Sequence, residues 1–237
     1  MGSEMCIRDS SGSANLVMGN SKASTPGGSG GALTQDNRLG YISFVGDDGT
    51  DMNTVGAAIV AELDSNASSN SMPGRFRFYT GGNSQERLRI DSNGNVTKPT
   101  NFHLVVDRSS NQTGYNACNM SDVIIWNRVQ TGQSSSGAAS HFDTSTGLFT
   151  APVTGLYLFH VAVNCSYAVQ GAWLNINGSR PNFANFYPNG AQSADAMITY
   201  KVTAGQTVGV KWYYNCITNG TINSNALHTW WRIVLLG

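Results

Sequence analysis

Ser29 sits at the centre of Gly27-Gly28-Ser29-Gly30-Gly31, which matches G-x-S-x-G, the spacing of a hydrolase nucleophile elbow. That elbow needs a strand before the serine and a helix after it, so that a tight turn exposes the hydroxyl. Here the serine lies in the Pro-, Gly- and Ser-rich run Thr25–Gly31, a flexible loop, and no catalytic role follows. His103, His141, His160 and His228 show neither HExxH nor His-x-His spacing, so they form no zinc motif. A glycosidase would need an acid and a second carboxylate. Residues 101–237 contain no Glu and only Asp107, Asp122, Asp143 and Asp195, which leaves a polysaccharide depolymerase as an alternative without a designated acid. The run GDDGTDMN, Gly46–Asn53, has carboxylates that could hold calcium, but it lacks EF-hand spacing and reads as a solvated turn. Cys118, Cys165 and Cys216 have no CxxC spacing and read as small core residues, with a Cys165–Cys216 pairing left open. No enzyme activity, cofactor or metal is expected.

Aromatic side chains suit binding better. Tyr167, Trp173, Phe186, Tyr187, Tyr213 and Tyr214 lie among Asn and Gln in the second half of the chain. An apolar ring flanked by amide groups is the chemistry of a carbohydrate platform. The segment Arg180–Gln192, RPNFANFYPNGAQ, is the candidate surface, with rings tucked into the core as the alternative.

Such residues need a scaffold, and the pattern says which kind. Short runs rich in Val, Ile, Phe and Tyr alternate with Gly, Asn, Asp and Ser clusters, and no helical period stands out. Charged residues are 12% of the 237, against roughly a quarter in ordinary soluble domains, and formal net charge is zero. That composition suits extracellular and virion β-proteins and leaves no basic footprint for nucleic acid. No apolar run approaches the ~20 residues of a membrane span, so no membrane insertion is expected. Expected strands are Gly40–Val45, Val55–Leu63, Arg75–Thr80, Arg87–Asp91 and Asn95–Thr97. Beyond Lys98-Pro99-Thr100, longer ones follow at Phe102–Asp107, Val123–Val129, Gly147–Ala151, Gly155–Cys165, Gly171–Ile176, Ala196–Val202, Thr207–Asn215 and Thr229–Leu236. Pro99 marks the boundary, because proline cannot continue a central strand.

The densest motif is HFDTSTGLFTAPVTGLYLFHVAV, His141–Val163. Phe142, Asp143, Thr146, Gly147, Phe149, Pro152, Gly155, Tyr157 and Phe159 resemble the signature of the complement C1q and tumour-necrosis-factor globular heads. The resemblance extends over Asn101–Gly237 and implies a ten-stranded jelly roll that assembles as a trimer. Alternation supports this independently. In Gly155–Val163, Tyr157, Phe159, Val161 and Val163 share one side while Leu156, Leu158, His160 and Ala162 share the other. Near the C-terminus Trp231, Ile233 and Leu235 oppose Trp230, Val234 and Leu236. Two largely apolar faces ask for two partners, and copies of the chain are the economical second one. Each such side chain buried contributes about 1.5–3 kcal/mol.

Two further resemblances divide the rest. RFRFYTGGNSQERLRIDSNGNV, Arg75–Val96, resembles the repeat preceding the terminal domain of tailed-phage fibre and spike proteins. MGSEMCIRDS, Met1–Ser10, resembles a translated sequencing-library transposon adapter and is set aside as an artefactual leader, with the natural N-terminus expected elsewhere. The expected organisation is therefore leader 1–10, β-rich shaft-like segment 11–97 and C1q-like jelly roll 98–237. The function expected is a non-enzymatic homotrimeric tip on a virion or outside the cell, bound to a surface glycan or protein receptor. A secreted C1q-type recognition protein and a purely structural trimerisation cap are the alternatives. The short, scattered strands of Ser11–Thr97 predict that this segment alone, at dilute monomeric concentration, shows no cooperative thermal transition; a sharp melt by circular dichroism would contradict it.

Overall fold

The structure, a computed structural model, describes residues 3–10, 13–25, 28, 30–81, 85–115, 122–166, 171–181, 185–186, 193–213, 219–224 and 227–236. It divides into two units, Met1–Thr100 and Asn101–Gly237.

In the first unit β1 (Ser3–Ser10) and β2 (Ser13–Asn20) form a hairpin. The strands β3 (Arg38–Gly46), β4 (Thr54–Leu63), β5 (Gly74–Thr80), β6 (Glu86–Ile90) and β7 (Val96–Thr97) then form an antiparallel meander in chain order. Neither hairpin strand is among those expected: Met1–Ser10 is set aside as a leader, and Leu16-Val17-Met18 in β2 is a continuous apolar run without alternation.

Pairing in the meander segregates its side chains. Ile42 lies beside Ile59, which lies beside Phe78; Ala61 lies beside Phe76, and Phe76 beside Ile90. The opposite face holds a small core of Ala58, Val60 and Tyr79, with Tyr41 and Val55 against it. A lattice of ion pairs surrounds that core. Arg75 donates to Glu62 at 2.8 Å, to Asp64 at 3.0 Å and to Asp36, while Arg77 reaches Glu62 at 2.9 Å and Glu86 at 2.5 Å. Burial opposes the charge on Arg75, but its three carboxylate partners outweigh it and raise its pKa. Removing one partner from such a buried set costs about 3–5 kcal/mol, since it strands the remaining charge.

The second unit contains β8 (His103–Asp107), β9 (Gln112–Tyr115), β10 (Arg128–Val129), β11 (Phe142–Asp143), β12 (Leu148–Thr150) and β13 (Gly155–Asn164). It continues with β14 (Gly171–Ile176), β15 (Asn185–Phe186), β16 (Ser193–Val202), β17 (Thr207–Tyr213), β18 (Gly220–Ile222) and β19 (Trp230–Leu235). One sheet runs β10-β8-β19-β13-β16 and the other β11-β12-β17-β14-β15, with β18-β9 as a small additional pair. These two five-stranded sheets form the jelly-roll sandwich, and the described residues contain only short 3₁₀ turns besides strands. Val123–Val129 departs from expectation: only Arg128–Val129 is a strand. Ile124 and Trp126 are instead fully buried as plugs, and the backbone is met by single bonds, Ile124 N–H to the Val210 carbonyl at 2.8 Å and Ile125 N–H to Gln112 at 2.9 Å.

The sandwich core is an aromatic ladder. Phe149 meets Tyr157 edge-on at 5.6 Å, Tyr157 stacks on Phe159 at 6.0 Å, and Phe159 reaches Trp231 at 6.0 Å. Phe142 closes the ladder against Trp231. The turn before Phe149 depends on Gly147, at φ +73°, where a Cβ would overlap the Ile124 carbonyl oxygen and lie 2.9 Å from the Ile125 Cα. Both the left-handed backbone and the contact exclude a side chain. Gly147→Ala is expected to destabilise the second unit by about 2 kcal/mol or more, read as a lowered denaturant midpoint.

Candidate interaction face

The motif residues hold the ladder in place rather than performing chemistry. The Asp143 carboxylate accepts the Ser145 N–H at 2.8 Å, the Ser145 hydroxyl at 2.6 Å and the Thr146 N–H at 3.4 Å, so it caps the turn that presents Gly147. Pro152 leads into Gly155, which is buried at the start of β13. The Tyr157 hydroxyl donates to the Val153 carbonyl at 2.8 Å, which lets a phenol sit fully buried.

β13 and β19 decide which face looks outward. Tyr157, Phe159, Trp231 and Ile233 are fully buried between the sheets. The alternate set faces away: Leu156 is 42% exposed, while Leu158, Trp230 and Val234 are half-buried. Leu158 pairs with Val234, so an apolar centre spans both strands. On the neighbouring β16, Met197 adds a side chain 65% exposed. Polar groups ring this centre. His160 pairs with Arg232 across the ladder, Leu156 with Lys201, and Ala162 with Asp195. The face is thus less apolar than alternation implies, because Arg232 stands between Trp230 and Val234. Its guanidinium lies 4.6 Å from the centre of the Trp230 ring, where a cation is stabilised by the ring face.

At the Trp230 end, Ala162, Ser193, Asp195, Leu227, His228 and Trp230 line a cleft of about 250 Å³. His160 meets Trp230 edge-on at 4.6 Å, and its Nε2 lies 3.4 Å from the Asp195 carboxylate. Sequence reasoning did not group His160, Asp195, His228 and Trp230. They come from three strands and the turn before β19, and the only signal for the grouping is the pairing register. Among the described residues no set of three His, Cys, Asp or Glu side chains converges on a metal position. Asp107, which is buried, is taken by Arg128 in a two-pronged pair at 2.7 Å and by Gln130 at 2.6 Å. Cys165 is a free buried thiol whose pKa is raised by burial; Cys118 and Cys216 lie outside the described residues.

The C1q domain profile matches residues 105–228, more than half of the chain. The chain belongs to the C1q domain family. Among solved structures, the globular domain of zebrafish complement 1qA protein is similar at 14% identity and TM-score 0.41, over 58% of this chain and 98% of that one. Eiger TNF from S. frugiperda is similar at 14% identity and TM-score 0.40, over 57% and 91%. Murine APRIL is similar at 13% identity and TM-score 0.41, over 58% and 100%. None of the curated proteins matches the chain.

Within this C1q domain three of the candidate ligand residues, Trp173, Phe186 and Tyr213, lie on strands of the second sheet. Gly171 pairs with Tyr213 and Ala172 with Phe186, so the positions of Phe186 and Tyr213 flank the start of β14. Tyr167, Tyr187 and Tyr214 lie outside the described residues, as does most of Arg180–Gln192. Trp173 is buried at 5% exposure, and the Arg180 guanidinium covers its ring at 4.6 Å.

Asp143 offers a pH test of the signature turn. Hydrogen bonds from the Ser145 hydroxyl and N–H and from Thr146 lower its pKa to about 2. Its contribution is therefore complete above the unfolded value near 4 and is lost as pH falls through about 2. Asp143→Asn is expected to lower the melting temperature at pH 7, with the gap to the parent closing by about pH 2; a gap independent of pH would contradict this.

Proposed function

We propose that the chain is a non-enzymatic homotrimeric binding protein, the trimerising and receptor- or glycan-binding tip of a phage tail-fibre or spike-like protein, acting on a virion or outside the cell. The observation that carries the trimer is the outward face of β13 and β19. Leu156, Leu158, Met197 and Val234 form an apolar centre ringed by Asp195, Lys201 and Arg232. An apolar core with a polar rim is the anatomy of a subunit interface. Membership of the C1q domain family supports the same reading. The likeness of Arg75–Val96 to fibre repeats supports the virion setting.

We assign ligand capture to the end of the second sheet, at the positions of Phe186 and Tyr213; Tyr187 and Tyr214 are their next neighbours in sequence, and Tyr167 precedes β14 in sequence. Three such sites on one trimer bind by avidity, so each needs only modest affinity. A cell-surface glycan or a protein receptor suits aromatic rings among Asn and Gln. A secreted C1q-type recognition protein is the second reading, favoured by the domain match itself; it uses the same trimer and differs only in setting. The depolymerase alternative loses ground, because Asp107 is held by Arg128 and Asp143 by its own turn.

The trimer is tested at Leu158. Three carboxylates brought into a small dry interface cost several kcal/mol each. Leu158→Asp is expected to abolish the trimer by light scattering while the sandwich retains a cooperative melt. Leu156→Asp, at a more exposed position, guards against simple misfolding. Two variants that stay trimeric with unchanged melting would overturn this interface.

A further inference from the structure

The meander of Met1–Thr100 has one apolar face left open. Phe44 is 55% exposed, Phe76 50% and Val96 61%, and Ile42 is 38% exposed. Ile59 and Ile90 lie between them in the ladder, half-buried. These positions belong to one face across all five strands, because cross-strand partners project to the same side. The ion-pair lattice of Arg75, Arg77, Arg89, Glu62 and Glu86 occupies the other face. Arg87 stands at the rim, bonded to the Thr80 hydroxyl at 3.3 Å. At one corner Met18 approaches, its Cβ 3.2 Å from where a Gly40 Cβ would lie.

The distribution is inverted relative to an ordinary exposed sheet, where the apolar face is closed and the charged face is wet. Strands of 9, 10, 7, 5 and 2 residues, spaced about 4.8 Å apart and rising about 3.4 Å per residue, make a face of roughly 500 Å². That falls short of the ~800 Å² per partner that holds free proteins together. The face is therefore too small to recruit a free partner, and it suits an occupant already held beside it. Between Thr97 and His103 the chain passes directly from this sheet into the C1q domain. Trimerisation of that domain tethers three identical faces at an effective concentration on the order of millimolar.

We infer that the face bearing Ile42, Phe44, Ile59, Phe76, Ile90 and Val96 packs against the same face of two further copies, as a three-sided prism with an apolar interior. This rests on the trimer proposed above. Uncharged faces can meet their own symmetry mates without bringing like charges together, and the Arg and Glu lattice on the opposite face, where Arg75 and Glu62 are already buried and paired, is left undisturbed.

Hydroxyl-radical footprinting of the full chain, with light scattering on the same sample, tests this. Phe44 and Phe76 are expected to react at least fivefold more slowly, relative to free phenylalanine, in the trimer than in monomeric Leu158→Asp. Met52 and Met72, 62% and 58% exposed, serve as unprotected controls. A trimer in which Phe44 and Phe76 react as freely as in the monomer overturns the prism and leaves the C-terminal trimer standing. Equal protection in monomeric Leu158→Asp assigns the cover to the chain itself and also overturns the prism. A parent chain that is already monomeric overturns both readings. Phe76→Arg is a second check: it is expected to expose Phe44 while trimer mass persists, and continued protection of Phe44 counts against the prism.

Discussion

A β-sheet has two faces, and among the described residues this chain contains no α-helix with which to cover the second. Every apolar face must therefore meet another sheet, a layer of long polar side chains, or a copy of the chain. The C1q domain meets the requirement on one side by sandwiching its two sheets around the ladder from Phe149 to Trp231. The N-terminal meander meets it with Arg75, Arg77 and their carboxylates, whose ion pairs lie on the same face as Ala58 and Val60. Each solution leaves one face over, and those two faces carry the functional reading.

The two remaining faces differ in chemistry. On the C1q sheet, apolar and charged residues are mixed, with Leu158 and Val234 central, Lys201 and Asp195 flanking, and Arg232 held over Trp230. Mixed faces of this kind favour one docking geometry, because a misplaced charge is costly in a dry contact. The meander face is nearly uniform and apolar, which provides adhesion with little directional information. On the proposed reading, the C-terminal domain would select partners and register while the N-terminal sheet would contribute burial once tethered, since an indiscriminate apolar sheet is safe only when its partners are already in place.

Chemistry is sparse by construction of the fold. The Asp107 and Asp143 carboxylates are committed to structure, the Tyr157 hydroxyl is spent on Val153, and the Cys165 thiol is buried. The proposed binding through repeated shallow contacts would use none of these groups; it would use a rigid platform, and the aromatic ladder is one.

Alternation in Gly155–Val163 and around Trp231 was enough to read an all-β sandwich, and the His141–Val163 motif to read its family, because both depend on local side-chain direction and on turns that few residues can make. Gly147 is an example: its left-handed turn is a property of the segment itself. The two faces of β13 were equally legible as a pair, but which one is inside was not. That was decided by Phe149 from the opposite sheet and Trp231 from β19 packing on Tyr157 and Phe159, with Phe142 closing on Trp231. The plug formed by Ile124 and Trp126 looked like a strand for the same reason, since a buried apolar run has no period that separates ladder from filler. His160, Asp195 and Trp230 meet only through the registers of β13 with β16 and β19. The inversion of the meander likewise needed tertiary structure, because its strands alternate in either case, and only the pairing shows Phe44, Phe76 and Val96 gathered on one side and the Arg and Glu residues on the other.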